Sequence, residues 1–422
     1  MERREFLRGA LGTLAGVSIL EAQADAGVVT AEVPPSIGAL TSAAADAPPA
    51  ISEAERAGRR ALAQRFLTEM RLDALLIEPG PNLMYYTGVP WGRSERLFAY
   101  LLPQEGTGLF VCPAFEQQKA ETLIQNRFPI HTWQEDESPY QLLGRLLRDR
   151  GIVTGTLTLD GSARYFLAEE LARAAPALTL VAADPITRAG RGVKSAPELA
   201  LARYANQVTL RAFRAALETL REDMTQAELG RNIRQAFDQL GYSGGALVLF
   251  GEASAYPHGV ERPEPLREGM VVLVDGGTSV HGYASDVTRT VVFGTPTAEQ
   301  QRVFDIVREA QARALRAARP GQTCGEIDAV ARTTIEQAGF GPGYRFFTHR
   351  LGHGIGLEGH EWPYLVRGST VELRPGMTFS NEPGIYQYGK FGVRLEDIMV
   401  ITDSGGELLT EPARSLSPTL AS

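Results

Sequence analysis

Four carboxylates interrupt the most strongly β-forming runs of this 422-residue chain, and they constrain its fold more than any other feature. Asp275 and Asp286 stand in VVLVDGGTSVHGYASDVTRTVVF, and Glu382 and Glu396 in FSNEPGIYQYGKFGVRLEDIMV. Acidic residues are depleted in strands, and burying an unpaired carboxylate costs several kcal/mol. Strands that read as buried can carry them only if they converge on positive charge. Asp275 and Asp286 are symmetric about Val280–His281. A tight hairpin there is expected to set them directly opposite each other, with Cβ atoms about 4.5–5.5 Å apart. Glu382 and Glu396 repeat the arrangement about Gly389, with QYGKF as the turn, and His353 in HRLGHGIGLEGHE adds an imidazole.

Four clustered carboxylates would repel one another and protonate unless cations neutralise them, so two divalent metal ions are expected. Oxygen-rich ligation with one imidazole favours Mn²⁺ and also admits Zn²⁺, Co²⁺ or Fe²⁺. Five ligands serve two ions about 3.5–4 Å apart only if some bridge. The hairpin geometry nominates Asp286 and Glu396 as bridges, with Asp275 completing one ion and His353 and Glu382 the other.

The rest of the chain divides around this centre. Residues 1–24 carry ERREFLR, a short apolar stretch and Ala22-Gln23-Ala24, the pattern of a twin-arginine export signal cleaved after Ala24. A periplasmic location follows. Residues 25–50, rich in Ala, Pro and Ser without apolar periodicity, read as a disordered linker. Residues 51–188 alternate helix and strand and form an α/β domain of helices on a sheet. Its Tyr86, Trp91 and Arg93 lie in a Gly/Pro-rich stretch read as a loop. Residues 189–422 read as a pseudo-duplicated α+β domain. Four S/T-x-x-E/Q capping patterns open helices at Ser195, Thr225, Thr297 and Thr323. Each helix pair leads to a strand segment and an acidic hairpin.

A net charge of −8 argues against a nucleic-acid partner, and after the signal no stretch is long and apolar enough to span a bilayer. Cys112 and Cys324 fall in different domains and read as buried free thiols.

DGG…GYASDVTRT, GHGIGLEGHE, NEPGIY and GVRLED resemble the signature segments of the metal-dependent Xaa-Pro peptidases, prolidase and aminopeptidase P, which share the pita-bread fold. The resemblance runs from Glu53 onward, and the wording GHGIGLEGHE, EPGIY and GKFGVRLED sits nearer the dipeptidase branch. It implies hydrolysis of Xaa-Pro bonds in short peptides by a hydroxide shared between the two ions. Glu382 would act as general base, His258 and His360 would bind the tetrahedral intermediate or shuttle protons, and the chain would be a homodimer. The alternatives are an aminopeptidase P acting on longer peptides and, more remotely, a creatinase-like or non-catalytic member of the fold. Arg394, two residues before Glu396 and on the same strand face, either neutralises a ligand or grips a substrate carboxylate. His349 and His281 are further candidates, and His131 has no assigned role. Tyr386, Tyr388 and Trp362 are candidate walls for a proline ring.

Overall fold

Each of the four capping patterns forms a complete capping box in the computed structural model, so the helices of the second domain begin where their N-cap hydroxyls direct. The structure describes residues 33–260 and 264–420. The expected export signal, and the linker as far as residue 32, lie outside the described residues.

Residues 33–50 correct the expectation of a disordered linker. Helix α1 (Pro35–Gly38) buries Ile37, and Ala43 is buried after it. Ser36 donates to the Ala215 carbonyl, and the Ala43 carbonyl accepts from Tyr204, so the segment is stapled to the second domain. Two well-placed apolar side chains are too few to register as periodicity, which is why composition misled.

The N-terminal domain is a six-stranded mixed sheet. Its strands are β1 (Ala74–Ile77), β2 (Ala99–Pro103), β3 (Leu109–Pro113), β4 (Ile130–Trp133), β5 (Gly155–Leu159) and β6 (Leu178–Ala182), in the order β4-β3-β2-β1-β5-β6. Helices α2 (Glu53–Glu69), α3 (Pro81–Thr87), α4 (Gln117–Ile124), α5 (Pro139–Asp149), α6 (Tyr165–Ala174) and α7 (Asp184–Arg191) accompany it. Cores form on both faces of the sheet, around Tyr100 and Phe110 on one and Leu143 and Leu157 on the other. Helix α7 runs across the expected domain boundary at 188, so the link to the next helix is residues 192–195. Tyr86 is a fully buried residue of α3 rather than a loop residue. Trp91 stacks on Phe98, and Arg93 donates to the Pro79 carbonyl and Ser162, so these aromatic and basic residues serve packing.

The second domain repeats one series. Helices α8 (Ala196–Leu217) and α9 (Gln226–Leu240) lead to β7 (Gly244–Phe250), then β8 (Val271–Val280), β9 (Tyr283–Ala284) and β10 (Val287–Val292). Helices α10 (Ala298–Ala317) and α11 (Cys324–Gln337) lead to β11 (Gly352–Gly354), β12 (Glu361–Leu365) and β13 (Thr378–Asn381). The hairpin strands β14 (Gly384–Gln387) and β15 (Phe391–Arg394), then β16 (Asp397–Thr402) and β17 (Gly405–Leu408), complete it. One sheet has the order β10-β8-β7 and the other β12-β11-β13-β16-β17. The two halves meet at a reciprocal backbone bridge between Thr288 and Glu396, which places both carboxylate-bearing hairpins at the seam. Cys112 and Cys324 are buried and free, as expected. No helix among the described residues is long and apolar enough to cross a membrane.

Candidate metal centre

The second hairpin folds as its sequence predicts. Asn381 pairs with Asp397 on one side, and Gly384 with Arg394 on the other, so Glu382 stands opposite Glu396. Gly389, at φ +80°, supplies the left-handed position of the turn between Gln387 and Phe391.

The first hairpin does not. Val280 pairs with Tyr283, leaving His281 (φ +48°) and Gly282 (φ +89°) as a two-residue turn. Both central positions have positive φ, the turn type whose twist matches paired strands. The turn therefore centres one residue later than expected, and the register moves by two. Asp275 faces Thr288, and Asp286 falls opposite Gly277. The two aspartates are diagonal neighbours on one face rather than direct partners. A Cβ on Gly276 would lie 2.4 Å from the Gly245 carbonyl oxygen, so this strand approaches its neighbour too closely for any side chain there.

All five expected ligands converge. Three sets of ligand atoms each lie within 4.8 Å of one another: Asp275, Asp286 and Glu396; His353, Glu382 and Glu396; and Asp286, His353 and His360. His353 Nε2 lies 3.3 Å from Glu382, 3.9 Å from Asp286 and 4.0 Å from Glu396. Its Nδ1 is 3.0 Å from the Gly354 carbonyl oxygen, an anchor that makes Nδ1 the protonated nitrogen and leaves the Nε2 lone pair aimed at the carboxylates. Glu396 and Asp286 each belong to two of these three sets, as bridging ligands would.

Counted as protein groups alone, this set is electrostatically unstable. Burial, reinforced by Asp275, pushes Asp286 up to about 7. Burial and the neighbouring aspartates push Glu382 up to about 8, and Glu396 is raised well above the usual carboxylate range by burial and three acidic neighbours. Burial pushes His353 down to about 3, keeping it neutral and fit to ligate. Asp275 is the exception: burial opposes its ionisation, but Arg394 holds it below the ordinary value. Two divalent cations fit this donor set and would reverse the repulsion.

A pH dependence of the metal-free protein follows. Above the ordinary histidine value near 6.5, the folded chain still holds protons that the unfolded chain has released, on Asp286 up to about 7, on Glu382 up to about 8, and on Glu396, which is raised as well. Its stability therefore falls as pH rises through that window. The melting temperature of chelator-treated protein is expected to drop between about pH 6.5 and 8 and to recover on adding Mn²⁺. A chelated protein equally stable at both pH values would contradict this account.

Arg394 engages four of the five N–H donors of a guanidinium. Nη2 is 2.6 Å from Asp275, Nη1 is 2.9 Å from the Tyr386 hydroxyl and 3.1 Å from the Pro257 carbonyl oxygen, and Nε is 3.2 Å from Thr288 Oγ1. It is buried and committed to a ligand, which favours the neutralising role. Thr288 Oγ1 also lies 2.8 Å from Asp275 and 2.7 Å from Glu396. Its place was readable, two residues beyond Asp286 on the same strand face, yet a threonine in a strand gives no chemical signal.

A cavity of about 430 Å³ opens over the ligands, lined also by Pro257, His258, His349, Arg350, His360 and Arg394. His258 and His360 thus reach the site, and the His360 ring lies 3.8 Å from that of His353, centroid to centroid. His349 gains importance: its Nε2 is 2.7 Å from the Tyr386 hydroxyl and its Nδ1 2.8 Å from the Arg350 carbonyl oxygen. His281 sits exposed at the hairpin tip and does not line the cavity. Of the three candidate walls, Tyr386 is buried beneath His349 and Arg394, Tyr388 is exposed against Tyr256, and Trp362 lines an adjoining cleft of about 300 Å³. None of the three lines the cavity over the ligands.

Comparison with known proteins agrees with this geometry. Residues 200–403 match the model of metallopeptidase family M24, and residues 59–193 match the creatinase/prolidase N-terminal domain. The chain is 32% identical to an Xaa-Pro dipeptidase of Pyrococcus horikoshii over 83% of its own length and 96% of the relative's. Its fold is similar to the crystal structure of dipeptidase PepE from Mycobacterium ulcerans, with a TM-score of 0.81, 32% identity and coverage of 87% and 99%. It is also similar to an X-Pro aminopeptidase structure from Thermotoga maritima, with a TM-score of 0.72, 30% identity and coverage of 84% and 98%.

Proposed function

Since this chain belongs to metallopeptidase family M24, we propose that it is an Xaa-Pro dipeptidase, releasing proline from dipeptides in which proline is the second residue. The observation that carries the reading is the convergence of five ligands and two further histidines, His258 and His360, on one cavity. When bound, a pair of divalent ions, Mn²⁺ being favoured by this oxygen-rich donor set, polarises the scissile carbonyl and lowers the pKa of water.

The chain's own residues supply the rest. Glu382, with Ser380 Oγ donating to its Oε1 at 3.0 Å, takes the proton of the attacking water and delivers it to the proline nitrogen. That nitrogen carries no hydrogen, so the site must recognise the peptide by other groups. His258 and His360, lining the wall of the cavity, offer N–H donors to the oxygen on which negative charge develops. His349 lines the cavity 3.9 Å from Glu382 and holds the Tyr386 hydroxyl, which in turn accepts from Arg394, so it acts as a positioning residue.

The likeness to an X-Pro aminopeptidase keeps one alternative in view, removal of the first residue from longer Xaa-Pro peptides. A panel of Xaa-Pro dipeptides and Xaa-Pro-Yaa tripeptides, with metal content measured on the same sample, separates the two. The dipeptides are expected to be turned over faster in the presence of Mn²⁺. A clear preference for tripeptides would overturn the dipeptidase reading, and no cleavage of either with metal bound would overturn the Xaa-Pro specificity. Two further parts of the proposal rest on other grounds: export on the twin-arginine pattern of residues 1–24 alone, and a homodimeric assembly on the family resemblance. N-terminal sequencing of periplasmic protein, expected to begin at Asp25, and the mass in solution test them.

A further inference from the structure

We propose that Arg191, the last residue of helix α7 in the N-terminal domain, positions His360 over the metal ligands; the assignment rests on the peptidase reading above. His360 lines both the cavity over the ligands and the adjoining cleft. Its side chain is exposed and loosely held. Nδ1 lies 3.5 Å from Arg350 Nη2, and the ring lies 3.8 Å from that of His353, centroid to centroid. Residues 355–360 belong to no helix or strand. The ring therefore points where its backbone directs it, and that backbone has to be held from elsewhere.

The hold comes from the two carboxylates that flank the histidine. Arg191 Nη2 is 2.6 Å from Glu358 Oε2 and also donates to Glu361 Oε2. One guanidinium nitrogen thus ties together the residues two before and one after His360, through charge-assisted bonds of the stronger kind. Arg191 is itself fixed. Its Nη1 donates to Asn82 Oδ1 at 3.0 Å, and Asn82 Nδ2 donates to Asp160 Oδ1 at 3.1 Å. Asn82, in α3, and Asp160, just beyond β5, are both buried. A continuous chain of bonds runs from the end of β5 in the N-terminal sheet to the segment that carries His360.

This tie can be cut without stranding a buried charge. Lys194 Nζ is 2.6 Å from Glu361 Oε1, and both side chains are buried. Without Arg191, Glu361 would keep that partner, while Glu358, whose side chain is 44% exposed, would be hydrated. The large cost of a broken buried pair does not arise. What is lost is the placement of His360. A donor serves a developing oxyanion only when it lies about 2.7–3.1 Å from where that charge appears, and a shift of about 1 Å can cost on the order of 100-fold in rate.

Steady-state kinetics on an Xaa-Pro dipeptide with Mn²⁺, in Arg191→Met, His360→Ala and the double variant, test the assignment. Arg191→Met is expected to lower kcat on the order of 10- to 100-fold with KM little changed, the signature of an interaction made in the transition state. Added to His360→Ala, the same change should lower kcat by less than about twofold, because residues that act through one group are not additive. Arg191→Lys, which keeps the charge but has no second arm for Asn82, should recover part of the rate. A merely structural role would lower kcat by the same factor in both backgrounds. That result, or wild-type kcat in Arg191→Met, would overturn the assignment. Should Arg191→Met fail to fold, Glu358→Gln loosens the tie at its exposed end. It should lower kcat in the wild-type background and not in His360→Ala, and wild-type kcat in Glu358→Gln would count against the proposal. Should wild-type protein cleave no Xaa-Pro peptide, the peptidase reading is what has failed. Crystal structures of wild type and Arg191→Met then decide the role of Arg191, an unmoved His360 ring counting against it.

Discussion

Asp286→Asn and Glu396→Gln are each expected to abolish peptidase activity and metal retention together. Glu396 and Asp286 each belong to two of the three ligand triads, and Asp286 groups with both Asp275 and His353. Removing either charge therefore weakens both ions at once and leaves the remaining carboxylates facing one another. The loss should exceed the roughly 10- to 100-fold typical of groups that only hydrogen-bond a ligand. Metal analysis of the purified variants, alongside turnover of an Xaa-Pro dipeptide, checks it, and circular dichroism reports whether the fold survives. Two equivalents of metal retained in either variant would refute its bridging role. Asp275→Asn is the informative contrast, since Asp275 groups with one triad alone and is already neutralised by Arg394.

Arg289→Met is expected to be the most damaging change away from the ligands. Arg289 alternates with Thr288 along β10, so its side chain points behind the seam rather than into the cavity. It is 2.7 Å from Asp397 Oδ1, and it donates to the carbonyls of Thr288, Glu396 and Glu411. Both partners of the ion pair are fully buried. Removing one member of a buried pair costs about 3–5 kcal/mol, because the other charge is left uncompensated. A fall in melting temperature on the order of 10 °C follows for a domain of this size. Pairing the change with Asp397→Asn should recover part of the loss, since Thr410 and Gln311 still contact that side chain. A single variant within about 1 °C of wild type would show that the seam does not depend on this pair.

The parts of the fold legible in the sequence were those set by local chemistry. All four capping boxes are four-residue events, and each appears where its hydroxyl and carboxylate predict. The β14–β15 register was legible because Gly389 is the residue there free to take a left-handed turn. The β8–β10 register was missed by two residues because symmetry of the aspartates was used in place of turn chemistry, although the His281–Gly282 pair signalled the turn. Residues 33–50 were read as disordered because docking rests on a few contacts, Ile37 among them, that no periodicity reveals.

The sequence by itself determined the donor set. Carboxylates placed in runs too apolar to be solvated must find counter-charge, and that requirement holds whatever the topology. Only the tertiary structure decided how the neighbouring groups are used. Arg394 and Arg350 are both arginines beside metal-ligand motifs, and sequence offers no way to rank them. Folding commits Arg394 to Asp275 across the seam, while Arg350 lies over the Tyr364 ring with its Nη2 3.5 Å from His360 Nδ1. A charge's availability depends on which partners lie within about 3 Å, and for these residues the carboxylate that decides it is 119 positions away in the chain.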